Sequence, residues 1–128
     1  MRHTIGLAAA LVAAIACGLA AAPVALGQGA FPTRAVRIVV AYPPGGGIDV
    51  MARQLAERLA PQWGQPVVVE NRPGGSTIPA TELVAKSPAD GHTILLTTDS
   101  TFSINPHLFA KLPYSDKDFV AVTQLILL

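Results

Sequence analysis

Three consecutive glycines, Gly45, Gly46 and Gly47, stand after Tyr42-Pro43-Pro44 and directly before Ile48-Asp49, and further along a hydroxyl cluster, Thr98, Ser100 and Thr101, follows an apolar run. Bare backbone N–H groups at the start of a helix, aided by the macrodipole, hold anions, and Ser and Thr hydroxyls add donors to the same anion. Each hydrogen bond to a charged acceptor contributes about 1.5–3 kcal/mol, so such a site works without a cationic side chain. No lysine or arginine lies between Tyr42 and Ala52. The residues thus point to main-chain and hydroxyl capture of an anion. A second reading stays open beside it, in which the glycines form a tight turn for helix–strand packing and the hydroxyls serve as caps and turn bonds.

Other chemistries find less support. No Gly-Lys-Ser/Thr ending follows the glycines, so a nucleotide P-loop lacks its phosphate lysine and its magnesium hydroxyl. The spacing is not G-x-G-x-x-G, and Pro43-Pro44 occupies the turn where a dinucleotide fold needs flexible backbone. His92 and His107 have no metal-ligand neighbour at helical spacing. Ser100 sits between Asp99 and Thr101 rather than in a Gly-x-Ser-x-Gly elbow. Asp49 and Asp99 can be drawn as a carboxylate pair, but an acid in a first helical turn is explained by the dipole alone. The sequence predicts no enzyme, no cofactor and no metal.

The elements that must position these residues follow from periodicity. Val36 to Tyr42 is a near-continuous apolar run broken only by Arg37, as in a strand covered on both faces. Ile48, Met51, Leu55 and Leu59 then recur at spacings of three and four, the stripe of an amphipathic helix. Pro66–Glu70 reads as a second buried strand and Asn71–Gly75 as a second turn. A helix is predicted from Thr77 to Lys86, with Pro79 in its first turn, and a third strand over Thr93–Thr97. Asn105 as cap and Pro106 at the first position open a helix to about Lys111, and Phe119–Leu128 reads as a last strand. Strand, helix, strand, helix, strand implies an α/β fold with a parallel sheet flanked by helices. In such sheets the loops at the carboxyl ends of the strands face one crevice, which is where both the glycines and the hydroxyls fall.

At the N-terminus, Arg2 and His3 precede an uncharged run from Ile5 to Ala22, followed by Pro23 and Ala25-Leu26-Gly27. This is the pattern of a secretory signal cut near Gly27; an uncleaved anchor is the competing reading. Cys17, the only cysteine, lies in that segment, so a cleaved chain has no thiol; an acylated Cys17 lacks the leucine usual three positions earlier. The formal charge is +1, and of nine basic residues Arg2 falls in the leader, leaving eight against eight acids. Near-neutral charge leaves no footprint for nucleic acid or an anionic membrane. Roughly 100 residues remain, enough for one modest domain.

Phe31–Val40, Tyr42–Asp49, Ala52-Arg53, Gly64–Gly74, Ala89–Leu95, Asn105-Pro106 and Asp118-Phe119, in this order, resemble the Bug family of periplasmic substrate-binding proteins, related to tripartite tricarboxylate transporters. The resemblance covers residues 31–123. It implies a two-lobed Venus-flytrap receptor that binds a small organic carboxylate between lobes without chemistry and delivers it to membrane transporter subunits. It also implies that the loop Tyr42–Asp49 holds the ligand carboxylate together with the hydroxyl loop 97–101, so the expected ligand-binding set is Tyr42, Pro44, Gly45, Gly46, Gly47, Asp49, Thr98, Ser100 and Thr101. On this reading residues 1–27 are the signal peptide, 28–123 an incomplete first lobe, and 124–128 the start of an interlobe crossing. The alternatives are a truncated remnant that binds nothing and an α/β enzyme with an anion loop. One departure stands in Ser76-Thr77-Ile78-Pro79-Ala80, where the family usually has a glycine- and alanine-rich helix start.

Overall fold

The computed structural model describes residues 31–126; the leader read at 1–27, with Cys17, lies outside the described residues, as do residues 127 and 128. Three parallel strands, β1 (Val36–Val40), β2 (Val67–Asn71) and β3 (Thr93–Leu96), form one sheet in the order β2-β1-β3. Val36 pairs with Val67 and Val40 with Asn71 on one side of β1, and Arg37 pairs with Thr93 and Val40 with Leu96 on the other. The fold is the α/β parallel sheet flanked by helices that the element order predicts.

β1 is the central strand, and its side chains alternate between two cores. Ile38 and Val40 pack with Ala52 of helix α1 (Gly47–Trp63), while Val39 and Ala41 pack with Ala80 of helix α2 (Ile78–Ala85). Both faces are therefore covered, which is why β1 reads as continuous apolar sequence. α1 ends at Gly64, whose φ of 62° is the left-handed cap that glycine adopts without strain. The helix runs through Pro61 and beyond the Leu59 where its apolar stripe ends.

The structure corrects several expectations. The buried line of α1 is Asp49, Ala52 and Ala56, with Ile48, Met51, Leu55 and Leu59 only partly covered, because small residues let the helix approach the sheet. β2 is an edge strand rather than a buried one, and Val68 is 52% exposed. Asn105 does not cap the helix it opens. It lies inside the four-residue helix α4 (Asn105–Leu108), which follows the equally short α3 (Ser100–Ser103), and its side chain turns into the interior. Residues 119–126 form no strand, and Val120 and Val122 are 90% and 82% exposed, since no neighbouring strand among the described residues offers them a ladder.

The Ser76-Thr77 departure has a definite shape. Gly75, Ser76 and Thr77 all take left-handed backbone angles, with φ of 51°, 52° and 70°, before α2 begins. Such angles are unfavourable for side-chain-bearing residues and persist only where surrounding contacts hold them. Those contacts come from the hydroxyl loop after β3. Asn105 Nδ2 donates to the Ser76 carbonyl at 2.7 Å, and the Thr77 and Thr101 hydroxyls meet at 3.0 Å.

Candidate functional site

With the order β2-β1-β3, the chain leaves β1 toward one side of the sheet and returns on the other, so the switch point lies between β1 and β3. Loops leaving adjacent strands diverge there and open a crevice at the carboxyl ends. Tyr42, just past β1, and Thr98, just past β3, span it, with Tyr42 Oη 2.7 Å from Thr98 Oγ1. Thr98 Oγ1 is in turn 2.6 Å from Ser100 Oγ. Three hydroxyls joined by two hydrogen bonds keep one hydrogen for a further acceptor, since each hydroxyl carries a single donor.

On the other wall, Pro43 and Pro44 are exposed and lead into the glycines. Only Gly45 needs to be glycine for its backbone, at φ +85°. Gly46 sits at φ −78°, ψ 167°, which any residue adopts, and Gly47 also avoids the left-handed region. A Cβ at Gly46 would meet only the Pro43 carbonyl at 3.6 Å, and one at Gly47 would meet nothing within 4 Å. The first intrahelical bond of α1 runs from Val50 N to Gly46 O, and the cap residue has no side chain. The N–H groups of Gly47, Ile48 and Asp49 therefore precede the helical ladder at its positive end.

Asp49 has a different place from the rest of the expected set. Its carboxylate is buried and fully engaged: Oδ2 accepts from Gly45 N (2.8 Å) and Arg53 Nε (3.0 Å), and Oδ1 from Arg53 Nη2 (3.1 Å) and Asn71 Nδ2 (2.8 Å). The Arg53 hydrogen bond, then the Gly45 N–H and the Asn71 amide, hold its pKa down to about 2 against an opposing burial effect. The carboxyl is thus an anion that ties Gly45 to α1 and β2. It also does not pair with Asp99, which is exposed at the surface. Gly45 has in consequence given its N–H to Asp49.

Thr101 is likewise internal. It is completely buried, with Oγ1 2.6 Å from Thr97 Oγ1 and 3.0 Å from Thr77 Oγ1, and its carbonyl accepts from Tyr114 Oη at 3.0 Å. The buried Asn105 amide joins Tyr114, Thr77 and Ser76 to the same network. Tyr42, Thr98 and Ser100 are thus joined by hydrogen bonds at this rim, Pro44, Gly45, Gly46 and Gly47 lie exposed in the loop that follows Tyr42, and Asp49 and Thr101 are buried behind it. Sequence reasoning missed Asn71, Arg53, Thr77 and Asn105 as supports. Asn71 was readable only as a turn residue, and its place at the end of β2 beside β1 is a matter of register. A surface recess of about 350 Å³, lined in part by Phe102, Pro106, Leu112 and Tyr114, is formed by residues outside this rim.

Comparison with known proteins gives the chain its family. The family model for the tripartite tricarboxylate transporter family receptor matches residues 51–127. BugT of Bordetella pertussis is 42% identical over 97 residues, covering 74% of this chain and 30% of BugT. A UPF0065 protein from the tcbD-tcbE intergenic region of a Pseudomonas species is 44% identical over 94 residues, covering 73% of this chain and 28% of that one. Among solved structures, an R. palustris protein with adipate superposes with a TM-score of 0.63 at 38% identity, covering 68% of this chain and 29% of that one. A periplasmic transporter gives a TM-score of 0.63 at 37% identity, over 67% of this chain and 29% of its own. The chain thus spans less than a third of the length of these relatives, and its sheet corresponds to part of a lobe of a periplasmic binding protein. Its sequence and its fold place this chain in the tripartite tricarboxylate transporter receptor family.

Proposed function

We propose that the chain carries one wall of an extracytoplasmic receptor site for a small organic carboxylate, acting without catalysis in tripartite tricarboxylate-type transport. The observation that carries this reading is the open space at Gly46 and Gly47, where neither backbone angle nor packing requires glycine. Absent side chains there leave the N–H groups at the start of α1 approachable. The ligand carboxylate takes hydrogen bonds from that helix start and from the free hydrogen of the Tyr42–Thr98–Ser100 chain. Asp49 and Thr101 act behind the rim as supports, and Gly45, whose N–H Asp49 holds, shapes the turn. A solved relative binding adipate at 38% identity is consistent with a carboxylate ligand.

Residues 1–27 direct export to the periplasm, where the receptor meets its solute and hands it to membrane transporter subunits. N-terminal sequencing of the exported protein should begin near Gln28. Recovery of an intact Met1 terminus in membranes would establish an anchor instead.

Calorimetric titration with adipate tests the site. Uptake by the unaltered protein and its loss in a folded Gly46→Val variant are expected. Equal affinity in both would place the ligand elsewhere, and a folded chain that takes up no carboxylate would be the non-binding remnant.

A further inference from the structure

Asn71 is the last residue of β2 and stands beside Val40 at the end of β1. Its carboxamide reaches three other residues. Nδ2 donates to the Tyr42 carbonyl at 3.1 Å and to Asp49 Oδ1 at 2.8 Å, while Oδ1 accepts from Arg53 Nη2 at 3.2 Å. The two acceptors set the orientation of the amide, because only an NH₂ group can serve both. From Asp49 the chain of bonds continues through Oδ2 to the Gly45 N–H. The amide therefore grips the glycine loop at both ends, at Tyr42 where it leaves the sheet and through Asp49 where it enters α1.

We propose that Asn71 is a positioning residue for ligand capture, whose amide holds the loop Tyr42–Gly47 in its receiving shape before any ligand arrives. This rests on the receptor reading above. A loop with three glycines is otherwise free to move, and a ligand that had to order it would bind more weakly by the population it must shift. The role belongs to the amide and not to strand pairing, which the backbone secures separately through Arg72 N to the Val40 carbonyl at 2.8 Å. Aspartate has nearly the same shape but no hydrogen to give, and would set a second carboxylate against Asp49. The charged groups in contact with this position are Asp49 and Arg53.

The test uses amide hydrogen exchange by NMR on the ligand-free chain, with Val39 in the central strand as internal reference. In Asn71→Asp at pH 7.5 the Gly45 amide should exchange about tenfold faster or more, with Val39 unchanged, as expected for local rather than global opening. Lowering the pH toward 5.5 should return part of that protection, measured against the intrinsic rate, because a protonated acid can again donate to Asp49. Asn71→Ala should show the same loss without recovery, and it adds no charge where Asn71→Asp perturbs the fold. Unchanged Gly45 exchange in both variants overturns the proposal. Adipate titration then separates the two readings. Binding by the unaltered chain that weakens about tenfold in the variants supports capture through the held loop. Binding that is equal in all three chains, despite faster Gly45 exchange, overturns the link to capture. If the unaltered chain ignores adipate, the receptor reading fails for this solute while the exchange data still decide the loop-holding role.

Discussion

Tyr42 Oη and Thr98 Oγ1 lie 2.7 Å apart across the switch point of the sheet, so the loops leaving β1 and β3 are joined by one hydrogen bond between hydroxyls. The same Thr98 oxygen meets Ser100, so the three hydroxyls form one chain with a single hydrogen to spare.

Tyr42→Phe removes that link and keeps the ring. A neutral hydrogen bond contributes about 0.5–1.5 kcal/mol net, so thermal stability should fall only slightly. Adipate affinity should fall by a similar amount, about 2- to 10-fold, in calorimetric titration. An affinity unchanged within error would remove Tyr42 from the site.

The glycines should separate into two kinds. Gly45→Ala places a side chain at φ +85° and should destabilise folding by about 1–2 kcal/mol in urea titration. Gly46→Ala should fold as well as the unaltered chain. Gly46→Val should fold too, but block the anion and weaken binding by about 2 kcal/mol or more, the loss of at least one charge-assisted bond.

Acid should loosen the protein in a defined window. The Asp49 carboxyl, held by Arg53, Gly45 N–H and Asn71, and the Asp90 carboxyl, held by the His92 N–H and Arg34, both titrate at about 2 in the folded chain instead of 3.8. The unfolded chain binds protons first as the pH drops, so this stabilisation is complete above about pH 5 and is lost between there and pH 2. Melting temperature against pH should show the decline, and Asp49→Asn should reduce its amplitude.

Thr101→Val tests the support behind the rim. It leaves the buried Thr77 hydroxyl and the partly buried Thr97 hydroxyl without their shared partner, at a cost of about 1–3 kcal/mol in chemical denaturation. Thr101→Ser, which keeps the oxygen, should recover most of it.

By itself the sequence determined the α/β class, the three strands and the two helices, α1 and α2, that cover the sheet. These follow from local causes. Val36–Val40 is apolar because both its faces are covered, and prolines and glycines end strands through their own backbone restrictions wherever they stand. It was equally sufficient to direct attention to Thr98 and Ser100, since a hydroxyl cluster after a parallel strand must lie at the carboxyl edge.

The tertiary structure alone decided which of those groups face outward. Thr101 is the same residue type as the partly exposed Thr98, and only the approach of Thr77 and Tyr114 engages it internally, while Asp49 is held by Arg53 one helical turn away and by Asn71 from β2. The same holds for β2, whose apolar residues read as buried but lie at an edge because strand order is set by crossover and not by composition. Asn71 is the clearest case. Nothing in its local sequence marks it apart from a turn residue, and its amide matters only because parallel pairing sets β2 beside β1, where the Tyr42 carbonyl and the Asp49 carboxylate converge. Hydrogen-bond partners dozens of residues apart are a property of register and packing, which no local pattern encodes.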